Sequence, residues 1–332
     1  MIKEIKYPAI NAKMKGMYAN NFGNEEIDEL LSQSDLYGAI SFLKSKFKSL
    51  ENLKDDANRR EIEKALNTEY INEILKVFRY LNKSDREYLT KLLLRQEILC
   101  LKNIFRNLVT NRDVKKNMGD VNYLTQNLFT NIDGINEVTS RQEFYEVIKN
   151  EDYAKIFKDY IEVDEVLLDE LEVRLDKYYY EKVFDLAKGN KILEKLIGEE
   201  IDLNNLSWIV RSKKFFGYTK EEIEILLVPI YYNLSKKKTD KLLLAETYDD
   251  LKQELSNTKY KKVLTEEALF EHDIDSFMYR EYKKIFTYKI FDISTVYVMI
   301  NMMNVDFNNI INIIEGIRYS RDTKQIQKKL IM

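Results

Sequence analysis

The stretch DLNNLSWIVR, residues 202–211, decides how this chain is read, because nearly the same phrase returns as DFNNIINIIE at 306–315. Each opens on an acid and sets two asparagines beside an apolar stripe. A more distant copy, EILCLKNIFR, lies at 97–106. Stacked, the three share an acid at the first place (Glu97, Asp202, Asp306), an apolar residue next (Ile98, Leu203, Phe307), another four places after the acid (Leu101, Leu206, Ile310), and an isoleucine at the eighth place (Ile104, Ile209, Ile313). Arg106 and Arg211 occupy the tenth place in the first two copies. The spacing of Leu203, Leu206, Ile209 and Val210 puts them on one face of a helix. Asn204 and Asn205 match Asn308 and Asn309, whereas the first copy has Leu99 and Cys100. Amides beside an apolar stripe can hydrogen-bond a neighbouring helix end and fix its register, so Asn205 and Asn309 are read as a structural joint.

Two further phrases recur at nearly the same period. SQSDLYGAI (32–40), SRQEFYEVI (140–148) and TYDDLKQEL (247–255) each give Ser or Thr, an acid three places on (Asp35, Glu143, Asp250), and then an apolar residue (Leu36, Phe144, Leu251). That pattern predicts a capping box, in which the hydroxyl accepts from an orphan N–H and the carboxylate reaches back to the cap. Downstream, Tyr153 matches Tyr260. EKALNTEY (63–70), EVRLDKYY (172–179) and EHDIDSFM (271–278) give a looser third set, led by Glu63, Glu172 and Glu271. The phrases keep their order in each third of the chain. They define three diverged copies of one unit of roughly 105 residues, large enough for a small domain, placed at 1–118, 119–223 and 224–332.

The fold class follows from what is scarce. Only 2 prolines and 9 glycines occur in 332 residues, which leaves few sharp turns and no persistent period-two pattern. The expectation is an all-α protein of three similar helical domains. Three like units most simply pack around a pseudo-three-fold axis, a row being the alternative. The stretch 59–81 reads as an amphipathic helix with Ile62, Leu66, Tyr70, Ile71, Ile74, Leu75 and Phe78 on its stripe.

Composition excludes several classes. With 53 basic and 56 acidic residues the formal net charge is −3, so the chain as a whole has no pull toward nucleic acid or anionic lipid. The opening MIKEIKYPAI lacks the apolar core of a secretory signal, and there is no apolar run of ~18 residues to span a bilayer. A single cysteine, Cys100, rules out an internal disulfide framework and fits a reducing compartment.

Candidate chemistry is thin. His272 lies among Glu271, Asp273 and Asp275, but there is no second histidine and its repeat counterparts are Lys64 and Val173. Asp249 and Asp250 resemble paired magnesium-holding acids, yet Asp250 matches Asp35 and Glu143, so capping accounts for it. An all-helical enzyme would use Asp249, Asp250 and Glu254, or His272. The run EVDEVLLDELE (162–172) reads as a solvated acidic helix face, SKKKTDK as a loop between helices, and Cys100 as a buried, inert thiol. No phosphate loop, nucleophile elbow or zinc spacing is present. No catalytic, cofactor-binding or metal-ligating residue is assigned, and no cofactor is expected.

Over essentially its whole length the chain resembles the C-subunit family of the V-type and A-type rotary ATPases (ATP synthases), equivalent to the d component of eukaryotic V-ATPases. The opening Tyr7, Asn11, Ala12, Lys13, Met14 and Lys15 is similar to the family's tyrosine followed by an alanine-arginine helix, with Lys13 where arginine is common. IDLNNLSWIVRSKKFFG (201–217) resembles the central segment, and YVMINMMNVDFNNIINIIEGIRYS (297–320) the last helices. The resemblance implies a funnel of three helical domains, seated on the membrane rotor ring (c/K subunits) and receiving the central shaft, which is made of the D and F subunits. It implies a non-catalytic rotor adapter that transmits torque for ATP-coupled proton or sodium transport. Such a part is cytoplasmic and reaches the membrane only through the ring, without inserting into the bilayer. A scaffold of some other helical complex is the alternative. The residues that contact each partner are not fixed by the resemblance.

Overall fold

A computed structural model describes residues 3–19, 22–112, 114, 134–288 and 292–332 of the protein. Among them every regular element is helical and there is no strand, so the chain is all-α. The boundary at 118/119 and the side chain of Tyr7 lie outside the described residues. The chain divides into two compact units, Met1–Leu89 together with Tyr279–Met332, and Thr90–Met278.

The first unit is built on the helix Ser294–Arg318, which packs against Lys3–Ala19, Asn24–Leu31, Leu36–Lys46, Arg59–Phe78 and Thr323–Gln327. Its first turns are buried on all sides: every residue from Ser294 to Ile300 is buried, four of them apolar (Val296, Val298, Met299, Ile300) with no exposed surface at all. A helix that is hydrophobic all round belongs inside other helices. Phe307 continues the contact, with ring centroids 5.7 Å from Phe47 and 5.9 Å from Tyr70.

In the second unit, Leu168–Ala187 packs on both Leu94–Val109 and Lys191–Arg211. Phe105, Phe144 and Phe157 form a closed triangle with centroid separations of 5.3, 5.2 and 5.0 Å. Phe105 stands near the end of the first acid-led phrase and Phe144 is the apolar place of the second capping phrase, so the apolar positions shared by the copies are where the helices meet. Leu203, Leu206, Ile209 and Val210 are all buried on one face of Lys191–Arg211.

Several local readings need correction. Thr247 and Asp250 form the reciprocal capping box, and Ser140 caps its helix, with Glu143 reaching Thr139 instead of Ser140. In the first copy, however, Asp35 is itself the cap of Leu36–Lys46, accepting from the N–H of Gly38 at 2.8 Å. Ser32 closes the preceding helix by donating to the Glu29 carbonyl. Either residue type satisfies an orphan N–H, so a Ser-x-x-Asp phrase leaves two possible starts. The helix predicted over 59–81 runs Arg59–Phe78, and Val77 is buried where Leu75 and Phe78 are only half-buried. Of the acidic run 162–172, residues 162–167 lie outside any helix, which starts at Leu168. SKKKTDK is helical: Ser235 caps Lys236–Leu244.

Asn205 holds the connection that follows the next helix, Lys220–Leu226. Its Nδ2 donates to the Val228 carbonyl at 2.9 Å and its Oδ1 accepts the Val228 N–H at 2.8 Å. Asn309 does the same for Ile331, at 2.7 and 3.0 Å. An amide that offers one donor and one acceptor in a fixed plane matches both polar groups of a single residue's backbone. The neighbouring asparagines behave differently, Asn308 being exposed and Asn204 half-buried. One turn before Asp202, Gly198 lets Tyr232 come close: a Cβ added there would collide with the Tyr232 ring.

Two stability outcomes follow. Asn205→Leu strands both backbone groups of buried Val228, so urea unfolding should show a loss of about 2–3 kcal/mol, against about 0.5 kcal/mol or less for the exposed Asn308→Leu. Gly198→Ala should lower the melting temperature by an amount equivalent to about 1–3 kcal/mol, since the Tyr232 ring must move.

Candidate functional site

The repeated acids are where polar chemistry enters the core. Glu97, Asp202 and Asp306 are all buried, and each carboxyl accepts a tyrosine hydroxyl. Tyr153 donates to Glu97. Tyr260 donates to Asp202 Oδ2 at 2.8 Å. Tyr279 donates to Asp306 Oδ1 at 3.3 Å, and the Tyr18 hydroxyl lies 3.3 Å from that of Tyr279. Tyr153 and Tyr260 are the pair matched in the sequence. The third acid uses a different donor, and Phe47, which follows the capping helix Leu36–Lys46 and carries no hydroxyl, packs on Phe307.

The three sites differ in how fully the carboxyl is satisfied. Asp202 also accepts three successive backbone N–H groups, from Tyr232 (3.2 Å), Asn233 (2.6 Å) and Leu234 (3.0 Å). Burial raises its pKa, and the Tyr260 hydroxyl and these amides pull it back. Asp306 is 5% exposed, and its Oδ2 has no hydrogen-bond partner among the described residues. It lines a cavity of 420 Å³ with Tyr18, Glu25, Glu26, Tyr279 and Lys283. Desolvation raises its pKa from 3.8 to about 7, against the opposing hydroxyls of Tyr18 and Tyr279 and the charge of Lys283. In each case burial drives the tyrosine pKa upward as well, to about 12 at Tyr279, so these hydroxyls stay protonated donors at neutral pH.

The tenth place of the phrase carries an ion pair. Arg106 bonds Glu172 and Arg211 lies 3.7 Å from Glu271, so the leading acids of the 172–179 and 271–278 phrases are the partners. In the third copy the residue is Glu315. It lies 3.3 Å from Arg318 and 3.7 Å from Arg59, and Arg59 also holds Glu63, the leading acid of the 63–70 phrase, at 2.6 Å. These side chains are partly exposed, so each pair is worth at most about 1 kcal/mol and serves register more than stability.

The remaining candidates have local roles. Asp250 belongs to the capping box, exposed Asp249 lies 3.7 Å from Lys252, and Glu254 holds Lys238 at 2.9 Å. His272 is half-buried on Phe270–Thr287, 4.0 Å from Asp273. Among the described residues no three His, Cys, Asp or Glu side chains gather in a metal-holding group. Cys100 is buried, which pushes its thiol pKa up and suppresses the thiolate. Sequence reasoning found the acids but missed Tyr18, Tyr279 and the amides of 232–234; for Tyr279 the signal is Tyr180, which stands at the matching place directly after the 172–179 phrase.

The Asp306 carboxyl sets a pH dependence. Its folded pKa lies above the ordinary value of 3.8, so folding favours the protonated form. This contribution is fully present below about pH 4 and is lost as pH rises through about 7, on the order of 4 kcal/mol in all. Asp306→Asn keeps an acceptor for Tyr279 and abolishes the titration. Its stability relative to the unsubstituted protein should therefore rise between about pH 5 and pH 8, measured by urea unfolding at each pH; a constant difference would exclude the buried charge as its origin.

Comparison with known proteins agrees with the resemblance. The chain is 25% identical to the C component of the A-type ATP synthase of Pyrococcus horikoshii, over 79% of this chain and 70% of that protein. It is 24% identical to that of Pyrococcus furiosus, over 82% and 74%. It is 22% identical to that of Methanocaldococcus jannaschii, over 98% and 86%. The family described as "ATP synthase (C/AC39) subunit" matches residues 10–329, and with so much of the length covered the chain belongs to that family.

Proposed function

We propose that the protein is a non-catalytic adapter of the central rotor, joining the shaft, made of the D and F subunits, to the membrane ring of c/K subunits and passing torque between them. The observation that carries this reading is the family match across residues 10–329, which makes the chain a component of a rotary ATP synthase. The structure supplies properties such a part requires. Torque transfer needs a stiff body, and long helices locked by buried hydroxyl–carboxyl bonds resist relative sliding because a buried bond cannot be exchanged for water. No helix among the described residues is long and apolar enough to cross a membrane, so contact with the bilayer would run through the ring.

The proposal includes the internal triplication. The three copies at 1–118, 119–223 and 224–332 are read as one module repeated, with Glu97, Asp202 and Asp306, Asn205 and Asn309, and Arg106 and Arg211 as equivalent positions. The acid-led helix of one third meets early helices of another. Leu94–Val109 meets Arg141–Ile148, and Ser294–Arg318 meets Leu36–Lys46 and Arg59–Phe78.

Reconstitution tests the reading. Affinity-tagged protein mixed with separately purified D–F shaft and detergent-solubilised ring should give a ternary complex on size exclusion, weakening as salt rises because adapter contacts are largely polar. Association with neither partner would defeat it.

A further inference from the structure

In the first unit a cavity of 610 Å³ is lined by Lys13, Met17, Lys48, Arg79 and Tyr80 together with three acids and the lysines that two of them hold. The acids are already engaged. Glu26 accepts the N–H of Gly23 at 3.0 Å and Lys46 at 3.4 Å, Glu69 accepts the N–H of Ser49 at 3.1 Å, and Glu73 holds Lys76. Three cations are not. Lys13, Lys48 and Arg79 have no carboxylate partner among the described residues, and Lys13 lies 5.2 Å above the ring of Tyr80, which is 48% exposed. The charge this cavity offers to a visitor is therefore positive.

Those cations come from three separate elements: the helix Lys3–Ala19, the turn Lys48–Leu50, and the residue closing Arg59–Phe78. Cations spread in this way match several carboxylates spaced along a chain better than one compact anion. The ring of Tyr80 and the side chain of Met17 provide an apolar contact between them. The five cations lining the cavity outnumber its three acids, and repulsion among the excess positive charges is relieved when an anionic partner arrives.

We infer that this cavity docks an acidic segment of a partner protein of the rotor, seating two or three carboxylates on Lys13, Lys48 and Arg79 and an apolar side chain on Tyr80. The inference rests on the adapter reading for the partner's identity but not for its chemistry. Charge complementarity of this type acts mainly on specificity and encounter rate, so the contact is expected to weaken steeply with salt.

The test has two arms. In the first, a fluorescein-labelled hexaglutamate peptide is titrated into the full chain and followed by anisotropy, with a hexalysine peptide and inorganic pyrophosphate as comparisons. The acidic peptide should bind and the basic one should not. The combined variant Lys13→Gln, Lys48→Gln, Arg79→Gln should weaken binding at least tenfold, while Lys236→Gln, Lys237→Gln should leave it unchanged, with circular dichroism checking that both are folded. In the second, the triple variant enters the shaft-and-ring reconstitution and should lose at least one partner at a salt concentration the unsubstituted protein tolerates. Peptide binding that ignores the triple substitution, displacement by pyrophosphate at equal charge concentration, or intact assembly of the variant would each overturn the inference. Failure of the unsubstituted protein to assemble would count against the adapter reading alone, and the peptide arm would then judge the cavity.

Discussion

A carboxyl group placed inside a helical core must find donors, and the architecture is arranged around that requirement. An unpaired buried carboxylate costs several kcal/mol, more than any one apolar contact nearby returns. Each of Glu97, Asp202 and Asp306 recruits a tyrosine, and tyrosine suits the role because its ring fills core volume while its hydroxyl supplies one donor. The bond ties the acid's helix to a segment at least 27 residues away in the chain, as with Asp306 and Tyr279. At Asp202 the same carboxyl gathers three consecutive amides and fixes a connection that would otherwise carry orphan N–H groups. A helix held in this way cannot slide by a turn without breaking bonds that no water replaces.

The second recurring device is the asparagine joint. Asn205 and Asn309 each clasp one residue of the chain that follows, Val228 and Ile331. The acid and the amide sit three places apart, on the same side of their helix. At Asp202 and Asn205 they anchor two points of one connection, Val228 and 232–234, so helix and connection behave as one body. The exposed ion pairs add little energy, and at Glu315 the partners are two arginines, Arg318 at 3.3 Å and Arg59 at 3.7 Å.

Much of this is plain in the sequence. The acid and apolar places of the acid-led phrases recur at fixed offsets, so all-α character, the buried faces and the special status of Glu97, Asp202 and Asp306 are legible there. The donors are not. Tyr153 and Tyr260 stand at matching places, but Asp306 takes Tyr279, whose match in the second copy, Tyr180, lies 3.5 Å from Glu200 instead. Backbone amides carry no sequence mark at all, so the cradle at 232–234 is invisible to pattern reading. Asn205 and Asn309 are the asparagines read as the joint, and they lie three places after the acid on its side of the helix, whereas Asn204 and Asn308 are turned away by about 100°. Ser32 mimics a cap because serine and aspartate cap equally well.

The ends of the three acid-led helices show how a repeat absorbs a change in length. Asn111 and Ser320 adopt left-handed backbone, with φ of 52° and 51°, each 14 places after its acid. Both helices finish alike, the next N–H reaching five residues back: Arg112 to Asn107 at 2.8 Å and Arg321 to Gly316 at 2.9 Å. In the middle copy the left-handed residue is Gly217, 15 places after Asp202. The extra residue is taken up as a π turn over Ser212–Phe216, and the closing N–H of Tyr218 reaches Ser212. The insertion falls beyond Asp202, Asn205 and Arg211, so the bonds that set register upstream are undisturbed. It is confined to the last turn, where Lys213 donates to the carbonyls of Leu243 and Ala245 at 2.7 Å and stitches the widened turn to the end of another helix. In the middle copy the extra residue thus falls downstream of the buried carboxyl and leaves the bonds at the acid in place.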